Sequence, residues 1–263
     1  MRLGTRGSAL ALAQAEWVAA RLPGDVEVVP ITTTGDRDRA REDKAKWVRE
    51  LERALLAGEV DLAVHSAKDV PSELPEGLEL AGAPEREDPR DVLVGRLAGR
   101  VGTSSPRRAA MLRAFHPAVD VVEVRGNVDT RLRKLASGEV DGLVLAAAGL
   151  RRLGRPEEAA PLDFIPAAGQ GTLLLEARAG GPPLLRDPAA WAAVTCERAC
   201  VRALRADCHS AVGIHHDGAL LRGWVGAEDG SAWIADALEG PASEDLGLHL
   251  AERLLAAGAR DLL

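Results

Sequence analysis

Apolar residues recur along this chain as short runs set between longer amphipathic or charged stretches, and the two kinds of segment alternate. The opening run around Leu3 leads through Gly4-Thr5-Arg6-Gly7-Ser8 into an Ala/Leu-rich helix reaching about Arg21. A strand is expected over Val26 to Ile31, a charged helix over Trp47 to Ala57, and an apolar strand from Leu62. The order then repeats. Val101-Gly102-Thr103-Ser104-Ser105-Pro106 precedes a helix over Arg107 to Phe115, a strand over Val119 to Val124, a helix over Thr130 to Ser137, and a strand at Leu143-Val144. The tetrapeptide Gly-Glu-Val-Asp stands before the last strand both times, at Gly58–Asp61 and Gly138–Asp141, with glycine placed to close the helix. Two landmarks in the same order indicate a duplicated β-turn-α-β-loop-α-β unit, hence parallel sheets with right-handed crossovers. Past Pro188 the pattern changes to a helix over Trp191 to Leu204, two strands over Ala219 to Val225 and Ala232 to Leu238, and a last helix after Ser243. That tail reads as a small α+β domain.

The strand Leu62-Ala63-Val64 delivers His65, Ser66, Lys68 and Asp69 at its carboxyl end before Pro71 stops the element. Ligands of open α/β sheets sit outside the carboxyl ends of strands, so Asp69 is the leading candidate for chemistry. A plain turn, with the carboxylate accepting backbone N–H bonds, is the alternative. The two Gly-Thr-x-Ser turns lie at helix starts, where free N–H groups and hydroxyls either hold an anion or are merely capped by Ser8 and Ser105. Two such lobes facing each other would make a cleft lined with anion donors. Arg6, Arg107, Arg108, Arg125, Arg131 and Arg152 all follow strand ends or helix starts. Such a set implies a ligand with several carboxylates or phosphates, since guanidinium binds them with geometry as well as charge.

Composition narrows the partners. A net charge of −7 argues against nucleic acid, and with no Tyr and two Phe there is little to stack bases on. No apolar window is long enough for a membrane span. Three cysteines without an export signal suggest reduced thiols in the cytoplasm. Cys196-x3-Cys200-x7-Cys208-His209 fits no common zinc spacing. Cys196 and Cys200 read as helix core, whereas Cys208 lies in a polar loop where a thiol can react. No metal is expected, and no obvious interface stripe appears, which favours a monomer.

Seven segments in order closely resemble the porphobilinogen deaminase (hydroxymethylbilane synthase) family. They are Thr5–Ala11, Val64–Pro71, Gly102–Arg108, Arg125–Arg131, Ala148-Gly149-Leu150, Gly169-Gln170-Gly171 and the Cys208 loop. The resemblance implies an α/β fold: two doubly wound lobes like those of periplasmic binding proteins, and a small α+β C-terminal domain. It implies domain 1 over residues 1–84 and 169–190, domain 2 over 85–168, and domain 3 over 191–263. It implies a transferase of tetrapyrrole synthesis that joins four porphobilinogen molecules head to tail with release of ammonia. The cofactor would be one dipyrromethane per chain, held by a thioether to Cys208.

By the same resemblance, Asp69 stabilises the cation formed as ammonia departs. Lys68, Ser66, Thr103, Ser104, Ser105, Arg107, Arg108, Arg125, Gly126 and Arg131 hold the cofactor, and Arg6, Ser8, Arg152, Gln170 and Lys44 hold substrate. The growing polypyrrole chain is the other partner. Two segments depart from the family pattern. Glu42-Asp43-Lys44-Ala45-Lys46-Trp47 replaces a glycine-rich loop, and Ala206-Asp207 replaces the glycines before the cofactor cysteine. An aspartate there should disfavour the Cys208 thiolate and slow cofactor loading. The rival reading is a non-catalytic two-lobed anion-binding protein.

Overall fold

Residues 1–31, 44–155, 159–207 and 209–263 are described by the computed structural model. They divide into two units, Met1–Glu87 with Thr172–Trp191, and Asp88–Gly171 with Ala192–Leu263. In the first unit, β1 (Arg2–Arg6), α1 (Ala9–Ala19), β2 (Glu27–Ile31), α2 (Lys44–Leu56) and β3 (Leu62–Ser66) follow one another, then β4 (Leu78–Gly82). The second unit opens with β5 (Asp91–Gly95) and continues through β6 (Arg100–Thr103), α3 (Pro106–Phe115), β7 (Asp120–Glu123), α4 (Val128–Ala136), β8 (Gly142–Ala146), α5 (Ala147–Arg152) and β9 (Ala159–Leu162). β10 (Leu173–Arg178) belongs to the first unit again.

The duplication is visible in the sheets, ordered β2-β1-β3-β10-β4 and β7-β6-β8-β5-β9. β1, β2 and β3 are mutually parallel, as are β6, β7 and β8. The expected all-parallel sheets need one correction each: β10 runs antiparallel to β3 and β4, and β5 antiparallel to β8 and β9. Each of these strands is the first formed after the chain passes from one unit to the other. No crossover helix from a neighbouring strand leads into it, so nothing imposes the parallel direction.

The repeated tetrapeptide has a structural reason. Gly58 and Gly138 take φ of +71° and +74°, which ends α2 and α4. Val60 and Val140 plug the core. Asp61 accepts the N–H of Arg2 at 2.8 Å, and Asp141 that of Arg100 at 2.9 Å, so each clasps the start of the adjacent strand. Registers Leu3↔Leu62 and Val101↔Gly142 align the two copies in sequence, so that Lys68 and Asp69 correspond to Ala148 and Gly149.

The third sheet, β11-β12-β13 (Val212–His216, Leu220–Gly226, Trp233–Glu239), packs against α6 (Pro188–Leu204) and α7 (Glu244–Ala256). Leu204, Ile214, Leu221, Val225, Leu250 and Leu254 form that core together with Cys196 and Cys200. Burial pushes the Cys200 thiol up to about 12 and raises that of Cys196, so both are inert. β11 was not foreseen, because Gly213 and two histidines hide its pattern. Trp224 of β12 joins Met111 and Phe164 in a shared core, tying the third sheet to the second.

A buried ion cluster sits where the second unit begins. Asp91, fully buried, lies 2.6 Å from Arg107 Nη1 and 2.8 Å from Arg108 Nη2. The guanidiniums also donate to the carbonyls of Ile165 (2.7 Å) and Val144 (3.1 Å). Gln170 donates to Asp91 at 2.9 Å and to the Pro89 carbonyl at 2.7 Å, and accepts from Arg108 at 3.2 Å. Burial alone would raise the Asp91 carboxyl, but the charges of Arg107 and Arg108 outweigh it and hold it far below the ordinary carboxylate range. A depressed carboxyl contributes stability above its unfolded pKa of roughly 3.9 and loses it as pH falls toward the folded value. Asp91→Ala is therefore expected to cost about 3–5 kcal/mol, since two guanidiniums lose their buried counter-ion. Asp91→Asn should flatten the fall in stability below about pH 4. Urea melts from pH 7 to pH 3 read both, and a parent-like acid slope in Asp91→Asn would refute the assignment.

Candidate functional site

The carboxyl ends of β1 and β3 build one cavity in the first unit. β1 ends at Arg6, and the chain turns through Gly7 so that the Ser8 hydroxyl accepts the Ala11 N–H at 3.3 Å and caps α1. Gln14, one face further along α1, is buried, and its amide nitrogen donates to Ser66 Oγ at 3.2 Å. β3 ends at Ser66 and passes into a single 3-10 turn, Ala67–Asp69. That turn is held at its root by the Ala67 N–H, donated to the Thr172 carbonyl at 3.0 Å. The result is a cavity of about 90 Å³, enough for more than one water-sized group, lined by Arg6, Ser8, Gln14, His65, Ser66 and Asp69 among others. Lys68 sits in the same turn, half-buried, outside that lining.

Donors and acceptors of this cavity differ in kind. Asp69 contributes a half-buried carboxylate, Arg6 a guanidinium, and Gln14 and Ser66 a coupled amide and hydroxyl. Such a set suits a small ring that presents an N–H to the carboxylate and its own carboxylates to the cation and hydroxyls. Gln14 was missed in the sequence. Its signal was a single amide in an otherwise Ala/Leu-rich helix face.

The second unit holds the other sequence-predicted groups. Thr103 is buried, and its hydroxyl accepts the Ser105 N–H at 3.1 Å. Ser105 caps α3, accepting the Arg108 N–H at 3.5 Å. Arg107 and Arg108 do not stand open at this turn as the arginine set suggested. They are 3% and 5% exposed and turned inward to Asp91, whose opposite charge in a dry site outweighs solvation of the guanidiniums. Gln170, expected among the substrate ligands, is 1% exposed and belongs to the same cluster, because its amide meets both Asp91 and the Pro89 carbonyl.

Arg125 is exposed and pairs with Glu123 at 2.7 Å. Gly126 takes φ of +113°, and its carbonyl accepts from Arg131 Nε at 2.6 Å. Asn127 caps α4. Arg152 donates to the Gly171 carbonyl at 2.7 Å.

Two predicted groups receive less description. Lys44 begins α2, and only its backbone is described. Cys208 lies outside the described residues. Its flanks are ordered by Asp207, whose carboxylate accepts the N–H groups of His209 at 2.8 Å and Ser210 at 3.1 Å. Against the cost of partial burial, these bonds hold the Asp207 carboxyl below its ordinary range. A formal negative charge therefore stands one residue before the cysteine. Among the described residues no group of His, Cys, Asp and Glu could hold a metal ion.

Comparison with known proteins shows the family. The family profile described as porphobilinogen deaminase, dipyromethane cofactor binding domain, matches residues 1–185. The porphobilinogen deaminase of Syntrophus aciditrophicus is 43% identical over 298 aligned positions, covering 100% of this chain and 97% of that protein. Those of Roseiflexus castenholzii and Thermus thermophilus are 47% and 44% identical, covering 100% and 99% of this chain and 98% and 97% of theirs. Since 298 aligned positions exceed the 263 residues here, at least 35 positions of the Syntrophus protein have no counterpart. Identity at this level over nearly the whole of each relative leaves one conclusion: the chain belongs to the porphobilinogen deaminase family.

Proposed function

We propose that this chain is a hydroxymethylbilane synthase, a transferase of porphyrin and heme synthesis that joins four porphobilinogen molecules head to tail and releases ammonia at each join. The observation that carries the reading is the half-buried Asp69 carboxylate, placed in a strand-end cavity beside Arg6, Ser8, Gln14 and Ser66. That donor set fits a dipyrromethane cofactor and its substrate, both of which offer pyrrole N–H groups and carboxylate side chains. When bound, dipyrromethane supplies the pyrrole end to which the first substrate is joined.

Asp69 accepts pyrrole N–H bonds and stabilises the positive charge that develops on the ring as ammonia departs. Arg6, Ser8, Ser66 and Lys68 hold carboxylates, and Lys44 serves the same end. In the second unit Thr103, Ser104, Ser105, Arg125, Gly126, Arg131 and Arg152 take this part. Arg125 can exchange its exposed Glu123 partner for a ligand carboxylate at little cost. Arg107 and Arg108 act differently. Both guanidiniums sit in the first turn of α3 and are engaged by Asp91, where the helix dipole is also positive. That field favours an anion at Ser104-Ser105 without direct contact. Gln170 keeps its structural part only.

Cys208 is the cofactor's point of attachment, a thiolate serving as the nucleophile. Three domains carry the work, over residues 1–84 with 169–190, 85–168 and 191–263, and each of the three sheets falls inside one of them. The enzyme acts in the cytoplasm as a monomer, without nucleic acid or membrane. Its net charge of −7 disfavours nucleic acid, and among the described residues no helix is long and apolar enough to cross a membrane.

Incubation with porphobilinogen should add the mass of one dipyrromethane to the intact chain and yield hydroxymethylbilane; an unchanged mass and no product would refute the proposal. Cys208→Ser should lose the mass gain, while Cys196→Ser and Cys200→Ser keep it. Asp69→Asn should reduce kcat by at least about 100-fold in a protein that melts like the parent. Asp207→Asn removes the charge beside the thiol but keeps an acceptor for the turn. It should speed cofactor attachment at neutral pH, read by the time course of the mass change; a parent-like time course would show that Asp207 does not restrain the thiol.

A further inference from the structure

A cluster of ionisable groups under the Asp69 turn has no part in the roles above. His65, Glu176 and Glu52 are 6%, 0% and 4% exposed. In the β3–β10 ladder Ala63 faces Glu176 and His65 faces Leu174, so Glu176 and His65 are diagonal neighbours on one face of the sheet. His65 Nε2 lies 2.9 Å from Glu176 Oε2. The contact is an ion pair without hydrogen-bond alignment: among the described residues neither His65 Nε2 nor either Glu176 oxygen has a hydrogen-bond partner. α2 covers the same face, packing Leu51 and Leu55 on Ala63 and contributing Glu52.

Burial first, and the charge of Glu176 second, push the Glu52 carboxyl above its ordinary range, while His65 and Arg49 pull it down. A layer that only had to pack would not contain two carboxylates and an imidazole, since buried ionisable groups are costly. His65 is the member that reaches the cavity, which it lines beside Ser66 and Asp69.

The reaction proposed above needs such a set. Each join breaks a C–N bond, whose electron pair leaves with nitrogen, so the departing amine must carry a proton to leave as ammonia. Each join also forms a C–C bond, and the attacked ring carbon then releases a proton as its C–H electrons rejoin the ring. One proton is needed and one is returned. Asp69 must stay anionic to hold pyrrole N–H groups and cannot be the acid at the same moment.

We infer that His65, paired with Glu176 and backed by Glu52, is a second proton carrier of the site, distinct from Asp69. The inference rests on the function proposed above. Glu176 is the ion-pair partner of Nε2, so a protonated imidazole has its counter-charge in place. The charged groups around it are Glu176 from β10, Glu52 and Arg49 from α2, Lys68 and Asp69 from the turn, and Arg6 from β1.

The test uses cofactor-loaded parent, His65→Asn, Glu176→Gln and Glu52→Gln, with porphobilinogen as substrate. Loading is checked by mass and folding by thermal melting. His65→Asn should lower kcat about 100-fold with KM within about twofold, as expected when only transition-state help is lost. Glu176→Gln removes negative charge beside the imidazole, so the limb of the kcat profile set by His65 should move to lower pH; Glu52→Gln should move it the same way by less. NMR titration of the His65 imidazole in the unloaded chain should show the same two shifts without any turnover. Parent-like kcat in folded His65→Asn overturns the carrier. If that variant does not fold, an unmoved pH limb and unmoved imidazole titration in both glutamine variants overturn it. A parent that neither gains mass nor consumes porphobilinogen sinks the proposed function instead.

Discussion

The second unit is organised around a single buried charge. Asp91 is the first residue of β5, and β5 is the first strand after the chain enters this unit. Its two oxygens take up Arg107 and Arg108 at the start of α3 and the Gln170 amide just before the chain leaves again. Entry, helix start and exit are thus fixed to one carboxylate. A second buried acid secures the same exit from the other side, since Glu197 of α6 accepts the Gly169 N–H at 2.6 Å and the His216 N–H at 2.8 Å. Buried carboxylates like these add little net stability compared with apolar packing, but breaking them is costly, and that asymmetry specifies one arrangement of chain.

In the first unit the same physics serves a different end. The strand-end cavity keeps polar groups such as Asp69 and Ser66 half-buried, while Glu176 is fully inside and its partner His65 is buried but lines the cavity. Charge strength therefore falls into layers. Ser66, open to a ligand, is held by its exchange of hydrogen bonds with Gln14, and Glu176 behind it is locked by burial.

How legible this was depends on the reach of each signal. The place of Asp69 at a strand end was legible because an apolar strand stopped by Pro71 fixes where its last side chains go, which is a local matter. Capping by Ser8, Ser105 and Ser243 was local too. The arginines were overread because Arg-Arg at a helix start looks the same whether an anion comes from solvent or from an aspartate 16 and 17 residues away. β10 was missed for a similar reason. Leu-Leu-Leu-Glu-Ala-Arg shows an apolar run, but nothing near it tells that it inserts between β3 and β4. Glu176 inside that run was the available hint, since a charge amid buried leucines needs a partner.

The aligned copies carry a last consequence. Both units lead into a strand through the same Gly-Glu-Val-Asp clasp, but the far end of one strand bears Lys68 and Asp69 and that of the other Ala148 and Gly149. Backbone architecture therefore does not confer reactivity. The fold supplies two equivalent sockets and populates one of them, so the chain contains its own blank. In the blank the turn lengthens into α5, whose Ala147, Ala148 and Leu150 are buried. Freed from presenting a charge to solvent, that position has been given over to packing, a division of labour that a duplicated ancestor makes available and a single lobe does not.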